Sequence, residues 1–416
     1  MRIAIIGTGI AGMTTAHLLQ QAHDVTVFEA NDYIGGHTHT VDVTAQGRAH
    51  AVDTGFIVFN ERTYPNFVRL LRRLDVPWQN SDMSFSVHCE RTELEYCPSS
   101  LDRLFAQRRN LIRPGFWRMV GEIFAFRRRL PQTAELPKTV TLGRHLQEKG
   151  YSQAFREYFI IPMGAAIWSA EPRRFEKMPA CMFARFFANH GFLNVRDQPQ
   201  WLVIRGGSRE YAETLTAPFR DRIRLSCPVR SVHRLSDAVE LEPANAGAER
   251  FDHVIIAAHS DQALQLLGDP SEQERAILGA MPYQENQVVL HTDTRALPDR
   301  RKVWASWNYR IPHESQEGAI VTYDMNILQS LDADCEFCVT LNQTERIDTE
   351  KVLRQMVYSH PIFTPQALAA QQRHAEISGV NRTHYCGAYW GNGFHEDGVN
   401  SALAVCRYFG RGLDDA

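Results

Sequence analysis

Arg2-Ile3-Ala4-Ile5-Ile6, then Gly7-Thr8-Gly9-Ile10-Ala11-Gly12, a helix-spaced stretch from Met13 to Gln21, and Val25-Thr26-Val27-Phe28-Glu29 decide the fold of this 416-residue chain. In order they read as strand, glycine turn, helix, strand and acid. That is the whole context of a dinucleotide-binding unit, not an isolated glycine pattern. Each position has its own physical task. Gly7 permits the tight turn, Gly9 lets backbone approach a pyrophosphate, and Gly12 lets the helix pack closely on the strand. Ile10 and Ala11 lie within the turn and join the expected cofactor site; the helix that follows presents free N–H groups and a partial positive charge to the phosphates. Glu29 can accept from both ribose hydroxyls, and its charge repels the 2′-phosphate of NADP. The alternative is a glycine turn with no ligand.

Composition narrows the class. The chain is 44% hydrophobic and 22% charged with net charge -3, and 26 Gly and 19 Pro are too few for a disordered polymer. No apolar run approaches the roughly 18–20 residues that span a bilayer. Met1 to Gly7 turns at a glycine without a cleavage site, so a signal peptide is not expected. The balance gives no reason to expect nucleic acid as a partner, and the expected location is cytoplasmic. Eight cysteines are scattered; the one CxxC, Cys335-Glu336-Phe337-Cys338, falls in a strand-like stretch with no second ligand pair for zinc. Ordinary buried thiols are expected, and no metal.

After Glu29 the chain continues Ala30-Asn31-Asp32-Tyr33-Ile34-Gly35-Gly36-His37. This second glycine pair resembles the GG motif of flavoproteins of the glutathione-reductase and amine-oxidase superfamily, which implies FAD, bound non-covalently. Many amine oxidases have an arginine after the pair that contacts a phosphate; here it is His37. Asp53-Thr54-Gly55-Phe56 falls where that superfamily brings backbone against the isoalloxazine, so Gly55 and Phe56 join the expected site.

Later segments follow in the superfamily's order. Trp201 to Thr214 carries Gly206-Gly207-Ser208 and a helix. Ile223 to Val232 is two short strand pieces, with Val229 matching the residue whose backbone holds adenine. Phe251 to His259 is an apolar strand running into small residues, Ala257 and Ala258, where bulk would meet the dinucleotide. Near the end, Thr383 to Ala388 reads as a strand and a helix is expected from near Gly398. The resemblance implies that this helix points its N-terminus at the flavin pyrimidine through Gly398 and Val399, with Asp397 near the ribityl or pyrophosphate. The fold expected is α/β with α+β insertions. A Rossmann-like FAD-binding domain (1–80, 200–275 and 376–416) is interleaved with a substrate domain (81–199 and 276–375).

Leu104 to Leu111, Phe116-Trp117-Arg118-Met119, Ile161 to Ser169 and Pro199-Gln200-Trp201-Leu202 are similar to a family of bacterial amine-oxidase-like flavoproteins. The same module stands ahead of the methyltransferase in plant cyclopropane fatty acid synthases, and a related member resembles the desaturase of methylated acyl lipids in furan fatty acid biosynthesis. The resemblance implies hydride transfer from a substrate C–H to flavin N5, on a lipid acyl chain more than on an amine. It also implies a fatty-acyl methyltransferase as a pathway neighbour.

Arg103 to Arg129 supports a lipid reading separately. Eight arginines face one acid, Glu122, within this stretch. Ser99 or Ser100 can cap a helix with Leu101, Leu104, Phe105, Leu111 and Ile112 on one side. Pro114 suits the first turn of a second helix, with Phe116, Trp117, Val120, Ile123 and Phe124 at helical spacing. A basic aromatic helix pair attracts an anionic membrane surface at ~1 kcal/mol per cation, so peripheral attachment to the inner face of the membrane is one expectation. A solvated arginine face over core aromatics is the other.

For the chemistry, acyl desaturation asks for an apolar tunnel and a group to take a proton. His395 and Glu396, beside the expected flavin, are the candidate bases, with Tyr389 and Trp390 as aromatic walls. Structural roles for all of them stand as the alternative. An amine substrate would ask for an aromatic cage, from Trp304, Trp307, Tyr309, Tyr323, Tyr389 and Trp390, and a lysine such as Lys302. A third reading is a flavin-free lipid carrier of the Rab GDP-dissociation-inhibitor type, which shares this fold.

Overall fold

Ile3, Ile5, Val25, Val27 and Ile255 point to one face of a parallel sheet, while Ala4, Ile6, Phe28, Val254 and Ile256 point to the other. Both faces are apolar, so both must be covered, the condition under which parallel sheets are stable. In the computed structural model, which describes residues 1–192, 198–314 and 318–415, this sheet has five strands. Their order is Ile223–Arg224, Asp24–Phe28, Arg2–Ile6, His253–Ile256 and Thr383–Tyr385, all parallel. Helices Ile10–Leu19, Arg209–Thr216 and His395–Tyr408 cover the first face. A three-stranded antiparallel layer, Val229–Arg234, Val239–Pro243 and Glu249–Phe251, covers the second together with helices Ser260–Leu266 and Glu272–Leu278. Each fully buried Ile or Val contributes about 1.5–3 kcal/mol.

A second sheet of seven strands is built from Phe85–Cys89 and Leu94–Tyr96 with five strands between Tyr283 and Pro361. It is antiparallel except where Trp307–Ile311 runs parallel to Phe85–Cys89. A helical layer, chiefly Pro114–Ala134, Ile161–Trp168 and Ala180–His190, packs a separate phenylalanine-rich core. Among the described residues no helix is long and apolar enough to cross a membrane. All eight cysteines are free; Cys338 is buried in its strand and Cys335 lies outside it.

Two expectations are corrected here. The last helix begins at His395, not near Gly398, because Asp397 reaches back to accept the N–H of Phe394 at 3.0 Å. The apolar residues of 101–112 do not lie on one side of a single helix. Ser100 does cap a helix, but it ends after one turn at Leu104, and Gln107 turns its amide to the Glu93 carbonyl and Glu95 N–H. Phe105 is buried, while Leu101 and Ile112 are 76% and 85% exposed and Leu111, Trp117 and Phe124 are each nearly half exposed.

Candidate active site

A cavity of about 840 Å³ lies between the glycine turn and the seven-stranded sheet. At one end it is walled by the first helix's N-terminus. Gly7 turns the chain at φ +103 and is held by its N–H to the Phe28 carbonyl at 2.8 Å. Gly9, Ile10 and Ala11 line the cavity, and no side chain caps this helix. A Cβ on Gly9 would meet nothing within 4 Å, so open space stands directly before these amides. A Cβ on Gly12 would instead collide with the Gly7 carbonyl oxygen; Gly12 packs helix on turn and is not part of the cavity wall.

Glu29 is buried at the cavity edge. Its Oε2 accepts from the Thr8 N–H at 2.8 Å and the Thr8 hydroxyl at 2.6 Å, and its Oε1 accepts the Asn31 N–H at 2.9 Å. Thr8 Oγ1 then accepts the Gly35 N–H at 3.1 Å, which ties the glycine turn to the glycine pair. A Cβ on Gly36 would lie 3.3 Å from the Gly9 Cα, so backbone here packs on backbone. His37 follows, and its carbonyl accepts the Phe56 N–H at 2.7 Å, setting Gly55 and Phe56 alongside. Gly35, Gly36, His37, Gly55, Phe56, Val229 and Ala257 all line the cavity.

Asp397, Gly398 and Val399 do not. Asp397 is spent on the helix cap, and burial raises its carboxyl to about 6. A Cβ on Gly398 would come within 2.6 Å of Ile10 Cγ2, and Val399 is fully buried in the core beneath. In this structure these residues pack the last helix against the first instead of lining the cavity.

The other end of the cavity is apolar and aromatic, walled by Met83, Ile167, Trp168, Phe186, Phe192, Phe363 and Phe394 with Trp307 and Tyr323. Of the expected catalytic residues, His395 and Tyr389 line it; Glu396 and Trp390 do not. His395 lies flat on Phe56, ring centroids 3.4 Å apart, with Nε2 at 2.9 Å from the Tyr211 hydroxyl and 3.1 Å from Thr38 Oγ1. Burial drives its pKa far below the usual value, so it stands neutral. Glu396 is corrected outright: both its oxygens accept backbone N–H groups of the helix Pro65–Arg73. Trp390 packs edge-on to His374. Of the amine-cage candidates, Trp304 and Tyr309 also lie away from the cavity. Lys302 is a surface residue paired with Asp102. Among the described lining residues there is no lysine; Glu29 is the one carboxylate and Arg230 the one permanent cation.

Sequence reasoning missed Thr8, His259, Tyr283, Tyr358 and His360, all of which line the cavity except that Thr8 also works through Glu29. His259 directly follows Ala257-Ala258 and was within reach of that reading. His360 and Tyr358 sit on a ten-residue strand, Val352–Pro361, with no motif to mark them.

Open space before unpaired helix amides, a buried ribose acid and a backbone-to-backbone glycine pair together fit FAD, which supplies a two-electron acceptor when bound. With the five-stranded parallel sheet and the seven-stranded sheet on either side of the cavity they define a FAD-dependent oxidoreductase. The chain belongs to the flavin-containing amine oxidoreductase family, whose profile matches residues 10–326. Zeta-carotene desaturase of Solanum lycopersicum is 39% identical over 75 residues, a stretch that is 18% of this chain and 12% of that protein. Cyclohexylamine oxidase from Brevibacterium oxydans superposes over 99% of each chain at TM-score 0.70 and 16% identity. A CLA-producing fatty acid isomerase from P. acnes does so over 98% of each at TM-score 0.72, also at 16% identity. At such identities these two likenesses speak to the fold. The flavin-free carrier reading is set aside.

Proposed function

We propose that this flavoenzyme removes hydrogen from a fatty acyl chain, of methylated type, delivered from an anionic membrane surface. The observation that carries the reading is the character of the cavity beyond the dinucleotide end: aromatic and aliphatic walls with no lysine and no carboxylate among the described residues. Such a wall takes an apolar chain without desolvating charge. It also excludes water from the reacting carbon, as C–H oxidation requires. The residues' own tasks are to grip the chain (Trp168, Phe186, Phe394) and to hold Phe56 rigid beneath it through His395. The names of two similar proteins, a carotene desaturase and a fatty acid isomerase, point the same way.

The surface continues the argument. Leu101, Leu111, Ile112, Trp117 and Phe124 are exposed beside Arg108, Arg109, Arg113, Arg118 and Arg128. The helix bearing Trp117 and Phe124 packs on Ala180–His190, which lends Phe186 to the cavity wall.

Trp307 and Tyr323, edge to face at 5.1 Å on that wall, favour a second reading, oxidation of an amine. Comparative lipidomics of cells with and without the protein, beside an active fatty-acyl methyltransferase, separates them. New unsaturation in methylated chains is expected. Unchanged acyl chains, with peroxide released from amines by the purified protein, would move the assignment to the amine.

A further inference from the structure

Away from the cavity, polar side chains converge at one edge of the seven-stranded sheet. His88, on Phe85–Cys89, stands directly across from Glu95 on the edge strand Leu94–Tyr96. Asp299 joins them from a loop 204 residues after Glu95, so no local spacing marks the group. One ring nitrogen of His88 and one carboxylate oxygen each from Glu95 and Asp299 lie within 4.8 Å of one another. None of the three lines the flavin cavity.

His88 carries the argument that a ligand belongs here. It is only 8% exposed, and its Nδ1 is sealed from solvent and makes no hydrogen bond. A buried ring nitrogen without a partner is costly unless a ligand supplies one. Burial and the neighbouring Arg310 lower its pKa against the pull of the carboxylates, so the neutral ring keeps a lone pair. Glu95 is fully buried, and its Oε1 accepts the Asp299 N–H at 2.7 Å. Asp299 itself is exposed, so its carboxylate can move. Donors at about 2.0–2.2 Å from a tetrahedral ion stand roughly 3.5 Å apart, so closing the group asks for a shift on the order of 1 Å.

Two cations adjoin the group. Arg310, beside His88 on the parallel strand, is spent on Glu90 and on the Arg295 and Leu297 carbonyls. Arg300 is half exposed and donates from Nη1 to Glu95 Oε2 at 2.7 Å. It is the group that a tighter cation displaces.

We propose that His88, Glu95 and Asp299 bind a divalent ion of the zinc class, which takes the place of the Arg300 guanidinium. One imidazole with two carboxylates suits zinc or manganese, whereas magnesium and calcium prefer oxygen alone. The step is ligand exchange only: three protein donors bind, Arg300 turns to solvent, and water completes the shell. Two carboxylate charges then match the two charges of the ion. The ion staples the Asp299 loop to the hairpin of His88 and Glu95. The arginine-rich segment rests on both pieces, through Arg103 Nε to the Lys302 carbonyl at 3.1 Å and Gln107 Nε2 to the Glu93 carbonyl at 2.7 Å.

The test is equilibrium dialysis of the untagged, chelator-washed holoprotein against Zn2+, with thermal unfolding in the presence and absence of the ion. One tightly bound ion per chain is expected, with a raised melting temperature that Mg2+ does not reproduce. His88→Gln and Asp299→Asn should each weaken Zn2+ binding at least about tenfold, as loss of a metal's supporting groups does. Asp299→Asn lies at an exposed position and keeps the backbone bond to Glu95, so it should fold as the parent does. Arg300→Gln should instead tighten Zn2+ binding, because the competing cation is gone. Absence of Zn2+ binding, undiminished binding by His88→Gln and Asp299→Asn, no gain in Arg300→Gln, or equal stabilisation by Mg2+ would each overturn the proposal.

Discussion

Glu396 Oε2 accepts the backbone N–H of Phe67 at 2.9 Å, and its Oε1 that of Asn66 at 3.1 Å. A residue in the first turn of the last helix thus caps the N-terminus of Pro65–Arg73, whose own cap position, Tyr64, offers no side-chain bond. Glu396→Ala should cost about 1–2 kcal/mol of stability, as loss of a helix cap does, while FAD affinity stays within twofold. Thermal unfolding and flavin titration read the two quantities separately. Weakened flavin binding at unchanged melting temperature would show that the carboxylate serves the site instead.

Gly9 and Gly12 should part company when each is given a methyl group. Gly9 has φ -60 and ψ 172, open to any residue, and a Cβ there meets nothing. Gly9→Ala should therefore fold as stably as the parent and yet purify colourless, because the methyl occupies the space before the helix amides. Gly12→Ala drives a Cβ into the Gly7 carbonyl and should fail to fold or lose several kcal/mol. A yellow Gly9→Ala protein with full flavin content would remove the pyrophosphate from this turn.

Acid should destabilise the flavin-free protein earlier than carboxylate titration alone would. Burial holds His37, His190, His259 and His291 near 4 and His360 and His384 near 3. Unfolded, each would titrate near 6.5. A base whose folded pKa is depressed stabilises fully above the unfolded value and loses that stability as pH falls toward the folded one. Asp53 and Asp397, raised to about 6, and Asp324, raised to about 7, act in the opposite sense and gain on acidification. Six histidines outweigh three carboxylates, so the melting temperature should drop between pH 6.5 and 5. A melting temperature that holds or rises across that window would mean the histidines are not buried as neutral rings.

Vesicles test the basic surface. Trp117 is held outward-facing by its Nε1 donation to the Leu111 carbonyl at 2.9 Å, next to Ile112. The protein should sediment with phosphatidylglycerol vesicles at low salt and release as salt shortens the screening length. The double variant Ile112→Ser, Trp117→Ser should bind at least about tenfold more weakly, as expected when two apolar side chains no longer enter the interface. Equal binding to neutral and anionic vesicles would exclude the charge-led attachment.

What could be read from the sequence was contiguous. The strand, turn, helix, strand and acid of the first twenty-nine residues carry their own physics, and so does the glycine pair that follows. Side-chain direction was less legible. His395 and Glu396 are neighbours, yet one lines the cavity and the other caps a helix 330 residues earlier in the chain, which depends on where Asn66 and Phe67 happen to lie. His37, His259 and His360 reach the cavity wall from three distant segments and share no local spacing. Leu101 and Ile112 were assigned to one side of a helix, but periodicity alone does not say whether that side meets a core or solvent; their exposure is what a binding surface produces.

The parallel sheet takes its central strand from residues 2–6 and its edge from residues 383–385, and the first helix is roofed by the last. On a ribosome the glycine turn emerges before the segments that close over it, and it stays roofless until residues 383–408 have been made. Flavin capture then waits on an element about 390 residues later in the chain, so a truncation that removes residues 395–408 should leave the turn translated but unable to retain flavin.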